Sequence, residues 1–211
     1  MFGWLGKRGQ RSVRAQPERK TEDAAETGLE TCAAPASWAV TMPMSPPVPL
    51  DAQAPLREAE LRRLAALQAR GQAAYQYIAE TAARICGTPM AAISLLDGES
   101  VWLQAAVGLT QERLPLSSSF CPFALAQMPE PLVVHDAQGD PRFAAMPLVV
   151  QAPGLRFYAG APFASRGVPL GTVSVADTRP RELTPVQLRT LQLLAQQTAL
   201  LLQARVASSG G

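Results

Sequence analysis

Residues 117–163 read SSSFCPFALAQMPEPLVVHDAQGDPRFAAMPLVVQAPGLRFYAGAPF, and this stretch decides the fold of the chain. Its apolar run after a proline predicts a short helix over residues 122–127, and its branched residues predict a strand over residues 131–134. Residues 136–143 predict a loop that enters a helical turn, because Asp, Gly and Pro are concentrated there. The pattern of residues 156–164 predicts a longer strand. Helices and strands therefore alternate along this part of the chain.

Two predicted hairpins lie around this stretch. Strand-like runs at residues 90–96 and 101–107 are joined by Asp97-Gly98-Glu99-Ser100, and Asp-Gly favours a tight reversal because glycine tolerates a positive φ. The second hairpin pairs the strand of residues 156–164 with residues 170–176, around a turn at residues 165–168. These runs predict antiparallel neighbours in one sheet.

A helix is predicted at each end of the folded region. Residues 56–85 carry a stripe at spacings of three and four, although Gln68 and Gly71 weaken its middle and allow the first half to be a separate signalling helix. The stripe consists of Leu61, Leu64, Gln68, Gly71, Tyr75, Ile78, Ala82 and Ile85. The last helix starts with Thr184 as its cap, Pro185 in its first turn and Gln187 completing a capping box. Its apolar stripe consists of Leu188, Leu191, Ala195, Thr198 and Leu202.

The order of elements predicts an α+β fold, with an antiparallel sheet of about five to six strands flanked by N- and C-terminal helices. Residues 1–55 are rich in charge and proline and are expected to be a disordered tail and linker. Residues 56–206 are expected to form one domain that begins with the signalling helix. Residues 207–211 are expected to be a flexible tail.

Composition excludes several classes of function. A formal net charge of +2 gives no basis for nucleic-acid binding, and no apolar run is long enough for stable membrane insertion. Three cysteines without CxxC spacing and a single histidine argue against a disulfide framework and against a metal site. Free cysteines fit a reducing compartment, so the chain is expected in the cytoplasm.

Several motifs occur in the order typical of GAF domains, the small-molecule sensor modules of bacterial signalling proteins. Residues 91–108 resemble the first GAF hairpin, and Ser119-Phe120-Cys121 resembles the SFC element that opens the helix over the ligand cavity. Residues 133–143 contain the D-x-x-x-D-x-R-F run of many bacterial GAF domains. Residues 155–162 and 167–177 resemble the two strands that follow, and the resemblance extends over roughly residues 73–205.

The resemblance implies a non-enzymatic sensor that binds a small molecule or a partner protein and signals through its terminal helices. The terminal helices carry spare apolar stripes that favour a homodimer. The readout is expected in a signalling partner or in dimerisation, because the chain shows no output module. The ligand and any cofactor stay unknown. Many relatives have histidine where this chain has Phe123, and the bilin-binding and cyclic-nucleotide-binding signatures are absent.

Eight residues are candidates for ligand binding, and no catalytic residue is assigned. They are Phe120, Cys121, Phe123, Asp136, Asp140, Arg142, Arg156 and Tyr158. Two interpretations are open for most of them. Cys121 is either a redox or covalent site or a buried packing residue. The loop carboxylates and Arg142 either contact a ligand or satisfy local backbone donors and pair with one another.

An enzymatic alternative is kept open. One GAF branch reduces free methionine sulfoxide with cysteines, and Cys121 lies in a broadly comparable region. That chemistry needs a nucleophilic thiolate and a resolving cysteine. Neither Cys86 nor Cys32 stands in a motif of that branch.

Overall fold

The computed structural model describes residues 50–66 and 72–208 of the chain, which form an α+β arrangement. Five α-helices and six strands are described. They are α1 (Ala54–Arg63), α2 (Ala73–Cys86), β1 (Met90–Asp97), β2 (Ser100–Val107), β3 (Arg113–Pro115), α3 (Cys121–Ala126), β4 (Leu132–Val134), α4 (Pro147–Val150), β5 (Phe157–Ser165), β6 (Val168–Asp177) and α5 (Pro185–Ser208). Short 3-10 turns occupy Asp51–Gln53 and Leu116–Ser118.

The six strands form one sheet in the order β3-β2-β1-β6-β5-β4, and every neighbouring pair is antiparallel. This confirms the predicted fold class and strand number. Both predicted hairpins are present, β1 with β2 and β5 with β6. Gly98 in the first turn has the expected positive φ, 55°, and Gly167 in the second turn has a φ of 81°.

One face of the sheet packs against the N- and C-terminal helices. Inward side chains of β1, β5 and β6, such as Ile93, Phe157 and Val173, join residues of α1, α2 and α5 in the largest hydrophobic cluster. Because successive strand residues point to opposite faces, the residues between them face away from these helices. We call the two sides the helix face and the cavity face.

The helical N-terminal region is divided, as its weak middle allowed. Helix α1 ends at Arg63 and α2 begins at Ala73, while Gln68 and Gly71 lie outside the described residues. Ile85, expected on the packed stripe, is 40% exposed, because the buried face of α2 runs through Ala82 and Cys86 instead. The predicted tail and linker of residues 1–55 also falls outside the described part, except for its last six residues, which lead into and begin α1.

The last helix starts as predicted. Thr184 donates its backbone N–H to the Gln187 side chain at 2.9 Å, and Gln187 returns its own N–H to the Thr184 hydroxyl at 3.3 Å. Leu191, Ala195, Thr198 and Leu202 are buried, while Leu188 is half-buried. Within the described ranges, no helix is long and apolar enough to cross a membrane.

Candidate functional site

A cavity of about 60 Å³ lies on the cavity face, under the short helix α3. Strands β1, β2 and β6 supply its floor, and the segments around Leu109, Leu148 and Leu155 close its sides. Its lining is mostly apolar and consists of Met90, Ala91, Ala92, Ser94, Val101, Leu103, Leu109, Gln111, Leu114, Ser119, Phe120, Cys121, Leu148, Leu155, Tyr158, Ser174, Val175 and Ala176. A space of this size has room for a molecule of a few non-hydrogen atoms.

Hydroxyl groups meet at one part of this cavity. Register pairs Ser94 with Thr172, and their hydroxyl oxygens are 2.8 Å apart. The Ser174 hydroxyl lies one step along β6 and donates to the Ala92 carbonyl at 3.4 Å. The Thr172 and Ser174 hydroxyls lie near that of Tyr158 and act to lower its pKa, against the larger effect of burial, but neither is in hydrogen-bond geometry with it. We call Ser94, Thr172, Ser174 and Tyr158 the hydroxyl cluster.

Tyr158 is fixed in the wall by an aromatic stack. Its ring lies parallel to that of Phe120 with centroids 4.6 Å apart, and Phe120 also packs on Phe143 at 4.8 Å. The Tyr158 side chain passes over Gly160, where an added Cβ would overlap its hydroxyl and its Cζ. The Tyr158 hydroxyl is buried and has no hydrogen-bond partner among the described residues. Burial raises the pKa of Tyr158, so the hydroxyl keeps its proton at neutral pH.

Cys121 opens α3 and faces the same cavity. It is 2% exposed, and burial raises the pKa of its thiol, although the nearby Ser94 and Thr172 hydroxyls act in the opposite direction. A neutral thiol is a poor nucleophile. Cys86 is buried in the helix-face cluster, and burial raises its pKa to about 11. The two described cysteines therefore lie on opposite faces of the sheet, and Cys32 is outside the described residues.

A buried arginine that no sequence motif indicated lies near Cys121. Arg57 of α1 is 2% exposed, and its terminal nitrogens donate to the Leu50 carbonyl at 3.4 Å. Burial lowers the pKa of Arg57, partly offset by the nearby thiol and carboxylates. Leu50 packs with Cys121 and Leu125 on the cavity face, so residues 50–57 cover this end of the domain.

The loop carboxylates pair with arginines outside the cavity. Asp136 accepts two hydrogen bonds from the Arg156 guanidinium, at 2.7 and 2.8 Å, and one from the Gln138 backbone. Asp140 accepts the Arg142 backbone N–H at 3.0 Å and pairs with its guanidinium at 2.7 Å. In both pairs the arginine holds the pKa of the carboxyl below its usual range. This geometry agrees with the structural interpretation of the D-x-x-x-D-x-R-F run.

Of the eight candidate residues, the cavity brings together Phe120, Cys121 and Tyr158. The other five lie elsewhere. Phe123 and Arg142 line an open surface depression beside α3, and Asp136, Asp140 and Arg156 lie in the two ion pairs. The role of all eight in ligand binding stays a prediction.

Sequence reasoning missed the remaining polar lining, which includes Ser94 and Ser174, and it missed Thr172 beside them. A signal did exist. Polar residues at alternate positions of otherwise apolar strands point to one face, and paired strands bring those positions together. Choosing that face needed the register between β1 and β6, which the sequence did not fix.

The terminal helices leave apolar side chains uncovered in this chain. Val186, Leu193 and Leu200 are 75%, 51% and 64% exposed, and they recur every seven residues along α5. On the neighbouring α2, Tyr77 is 67% exposed and Ile85 is 40% exposed. We call Val186, Leu193 and Leu200 the outer stripe of α5. Heptad spacing of this kind is typical of helices that pair.

Comparisons with known proteins give a family match and a curated relative. The GAF domain family profile matches residues 70–202. A cyclic di-GMP phosphodiesterase of Pseudomonas aeruginosa is 37% identical over 138 residues, which cover 65% of this chain and 23% of that protein. The chain therefore spans about a quarter of the length of this relative.

Two solved structures show the same fold. The GAF domain of a phosphoenolpyruvate-protein phosphotransferase from Acinetobacter has a TM-score of 0.53 at 18% identity, covering 74% of this chain and 98% of that one. A type II free methionine-R-sulfoxide reductase from Thermoplasma acidophilum has a TM-score of 0.50 at 17% identity, covering 72% and 96%. At these identities the likeness concerns the fold alone.

Proposed function

The chain belongs to the GAF domain family, and from this premise we propose that it is a non-enzymatic sensor module that binds a small molecule and signals through its terminal helices. The observation that carries the proposal is the position of the cavity. It lies on one face of a sheet whose other face packs against α1, α2 and α5. A ligand and the signalling helices would then act on the same strands from opposite sides.

The route from cavity to helices is short. Ser94 and Ser174 line the cavity, and their neighbours Ile93, Leu95 and Val173 pack in the helix-face cluster. A ligand that binds one arrangement of β1 and β6 better than another shifts the population of both. Tightly packed residues on the helix face pass such a shift to α2 and α5.

We propose that the output is pairing with a second copy of the chain. The outer stripe of α5 repeats every seven residues, and two such helices can bury the same residues against each other. Tyr77 and Ile85 of α2 extend this apolar surface. A change in the packing of α5 on the sheet would then alter the strength or geometry of the pair.

We also propose a place for this module in second-messenger signalling, in the cytoplasm. The Pseudomonas relative is named a cyclic di-GMP phosphodiesterase, and the region shared with this chain is a minor part of it. Ligand pockets for molecules of drug or cofactor size are typically 300–1,000 Å³. A cavity of about 60 Å³ is far smaller, which supports regulation of such signalling by a different, smaller ligand.

The reductase alternative rests on the structural likeness to a free methionine-R-sulfoxide reductase. The geometry favours the binding module instead, since Cys121 is buried with a raised pKa and Cys86 lies on the other face. An assay of free methionine sulfoxide reduction separates the two. Turnover by the wild-type chain that disappears in Cys121→Ser would establish the enzyme, and absence of wild-type turnover would remove it.

Native and denaturing mass spectrometry of the purified chain tests the sensor directly. We expect extra mass in the native spectrum that is lost on denaturation. Mass that survives denaturation would indicate a covalent adduct, with Cys121 as the first site to map. If the chain is empty and no small molecule shifts its spectrum, the ligand-sensing part of the proposal fails.

A further inference from the structure

We propose that the cavity ligand is a small, uncharged, mostly apolar molecule with one hydrogen-bond acceptor, of the class of short aliphatic carbonyl compounds. This inference rests on the proposed sensor function and specifies its ligand class. It stands on three properties of the cavity: a surplus donor, the absence of charge in its lining, and its size.

Within the hydroxyl cluster, the Tyr158 proton meets no acceptor of the described chain in hydrogen-bond geometry, although burial raises its pKa and the Thr172 and Ser174 hydroxyls lie near enough to act against that rise. Ser94 can donate to the Thr172 carbonyl at 3.4 Å while Thr172 donates to the Ser94 hydroxyl at 2.8 Å. Ser174 donates to the Ala92 carbonyl at 3.4 Å. The Tyr158 hydroxyl has no partner among the described residues, although it is buried. A buried donor without an acceptor costs free energy, so this position favours a ligand that brings an acceptor.

Tyr158 cannot easily turn to find a partner elsewhere. Phe120 stacks on its ring at 4.6 Å, and the side chain lies against the Gly160 backbone. The donor is therefore held in position before a ligand arrives. Such preorganisation raises affinity, because little conformational freedom is lost on binding.

The described residues give the cavity lining no charged side chain. Among the residues that the structure describes, the lining includes none of Asp, Glu, Lys, Arg or His. Burial keeps Cys121 and Tyr158, the two ionisable groups of the lining, in their neutral forms at pH 7. Arg57 lies behind Cys121 and is not part of the lining. A charged ligand would lose its hydration without a compensating partner, which disfavours anions and cations alike.

Size and polarity complete the description. A volume of about 60 Å³ admits only a few non-hydrogen atoms, and most of the lining is apolar, from Met90 and Val101 to Leu148 and Leu155. Apolar atoms of the ligand would lie against these residues while its single acceptor meets the Tyr158 hydroxyl. Acetone has this composition and serves as the probe.

Three probes of the same shape isolate the acceptor and the charge. Acetone has the neutral acceptor, acetate adds a negative charge, and 2-methylpropene replaces the oxygen by carbon. NMR titration of the purified chain would follow the signals of Ser94, Leu103 and Ala176. We expect acetone to shift these signals with saturation, and acetate at the same concentrations to leave them unchanged.

The Tyr158→Phe variant tests the donor. Loss of one hydrogen bond to a neutral acceptor should weaken acetone binding by about fivefold to tenfold. Binding of 2-methylpropene should be unchanged or tighter. Tyr75→Phe is the matched control, because it removes a buried tyrosine hydroxyl from the helix face, and it should leave acetone binding unchanged. Equal acetone affinity in wild type and Tyr158→Phe would overturn the proposal.

A second measurement uses only the wild-type chain, so it does not depend on whether the Tyr158→Phe variant folds. The infrared carbonyl stretch of acetone bound to the wild-type chain should lie at the lower frequency of a hydrogen-bonded carbonyl. A stretch at the frequency found in hydrocarbon solvent would overturn the proposed contact. Saturable binding of acetate, or a charged ligand in the native mass spectrum, would overturn the ligand class but leave the sensor function standing. Failure of all three probes to shift the cavity signals would overturn the class, and an empty native spectrum besides would remove the sensor function too.

Discussion

At the scale of single residues, Gly160 and Tyr158 depend on each other. They lie on the same face of β5, and an alanine Cβ at position 160 would stand 2.7 Å from the Tyr158 Cζ. This is an overlap that the structure can relieve only by moving a ring held between Phe120 and the strand. The absence of a side chain at 160 is therefore what allows the tyrosine to reach the hydroxyl cluster.

We predict that Gly160→Ala destabilises the chain by about 1–3 kcal/mol, the usual cost of overpacking a core. In the background of Tyr158→Leu, whose shorter side chain does not reach position 160, the same substitution should cost at least about 1 kcal/mol less. Urea unfolding of the four proteins in this cycle measures the difference. Gly139→Ala is the control, because an added Cβ there meets its nearest atom at 3.7 Å. Strict additivity in the cycle would contradict the described contact.

Glu60 gives a prediction about pH. It accepts two hydrogen bonds from Arg63, at 2.7 and 2.8 Å, which lower its pKa from an ordinary 4.5 to about 2. A carboxyl with a lowered folded-state pKa stabilises the fold above its unfolded pKa and loses that contribution as pH falls. The contribution should therefore be complete above pH 4.5 and decline towards pH 2.

Glu60→Gln should lower the free energy of unfolding by about 1 kcal/mol at pH 7, since Arg63 is partly exposed and the pair is screened by solvent. The difference from wild type should shrink steadily below pH 4.5 in urea titrations. Glu130→Gln, which changes an exposed carboxylate in the same way, is the control. A difference that is independent of pH would show that Glu60 acts by packing and not by charge.

At the scale of elements, the end of α2 rests on one backbone conformation. Gly87 has φ 65° and ψ 32°, the left-handed region, and its N–H reaches the carbonyls of Ala83 and Arg84. No atom of the described residues outside its chain neighbours lies within 4 Å of the place where a Cβ of residue 87 would stand. The cost of a side chain there is conformational and not steric.

We therefore predict that Gly87→Ala costs about 1 kcal/mol, with Gly87→Asn intermediate, because asparagine tolerates the left-handed region better than alanine. Thermal or urea unfolding of the three proteins gives the order. An alanine variant as stable as the asparagine variant would contradict this account of the helix end.

Sequence patterns predicted those elements that carry local signals. Thr184 and Gln187 form the expected capping box, and Asp97-Gly98 forms the expected turn, because both are decided by neighbouring residues. The edge strand β3 was not predicted, since three residues give no periodicity and its position depends on pairing with β2. The exposed Ile85 shows the same limit, because a stripe defines a helix face only to within one position.

Part of the cavity was predictable because some of its residues lie in local sequence motifs. Phe120, Cys121 and Tyr158 stand in motifs of a known family, and the structure places them together. Arg57 lies outside the matched motifs, and Thr172 lies in residues 167–177, which indicated a strand but not which face each residue occupies. They reach the region through the docking of α1 and the register between β1 and β6, which are tertiary features.

At the scale of the whole molecule, the outer stripe of α5 should mediate self-association. We predict that the wild-type chain is a dimer. Leu193→Glu should weaken the dimer by about tenfold or more, because residues at the centre of an interface carry much of the binding energy. Analytical ultracentrifugation over a concentration series measures this. Val150→Glu, a substitution of an exposed residue on α4, is the matched control and should leave the dimer intact.

A wild-type monomer across the concentration series would remove pairing through α5 as the output. Equal disruption by Leu193→Glu and Val150→Glu would point to general loss of folding, which circular dichroism of both variants checks. A dimer that persists in Leu193→Glu alone would place the contact on another surface.

The two faces of the sheet also constrain how this chain can diverge. Along β1 and β6 the residues alternate between the cavity face and the helix face, so two neighbouring residues are constrained by different contacts. In the proposed sensor, substitutions at the cavity positions would change which ligand binds, while the side chains that contact the helices stay the same. We expect related chains to share the residues at the helix-face positions and to differ at the cavity positions. Ligand preference would then change between relatives while the contacts between the sheet and the terminal helices stay the same.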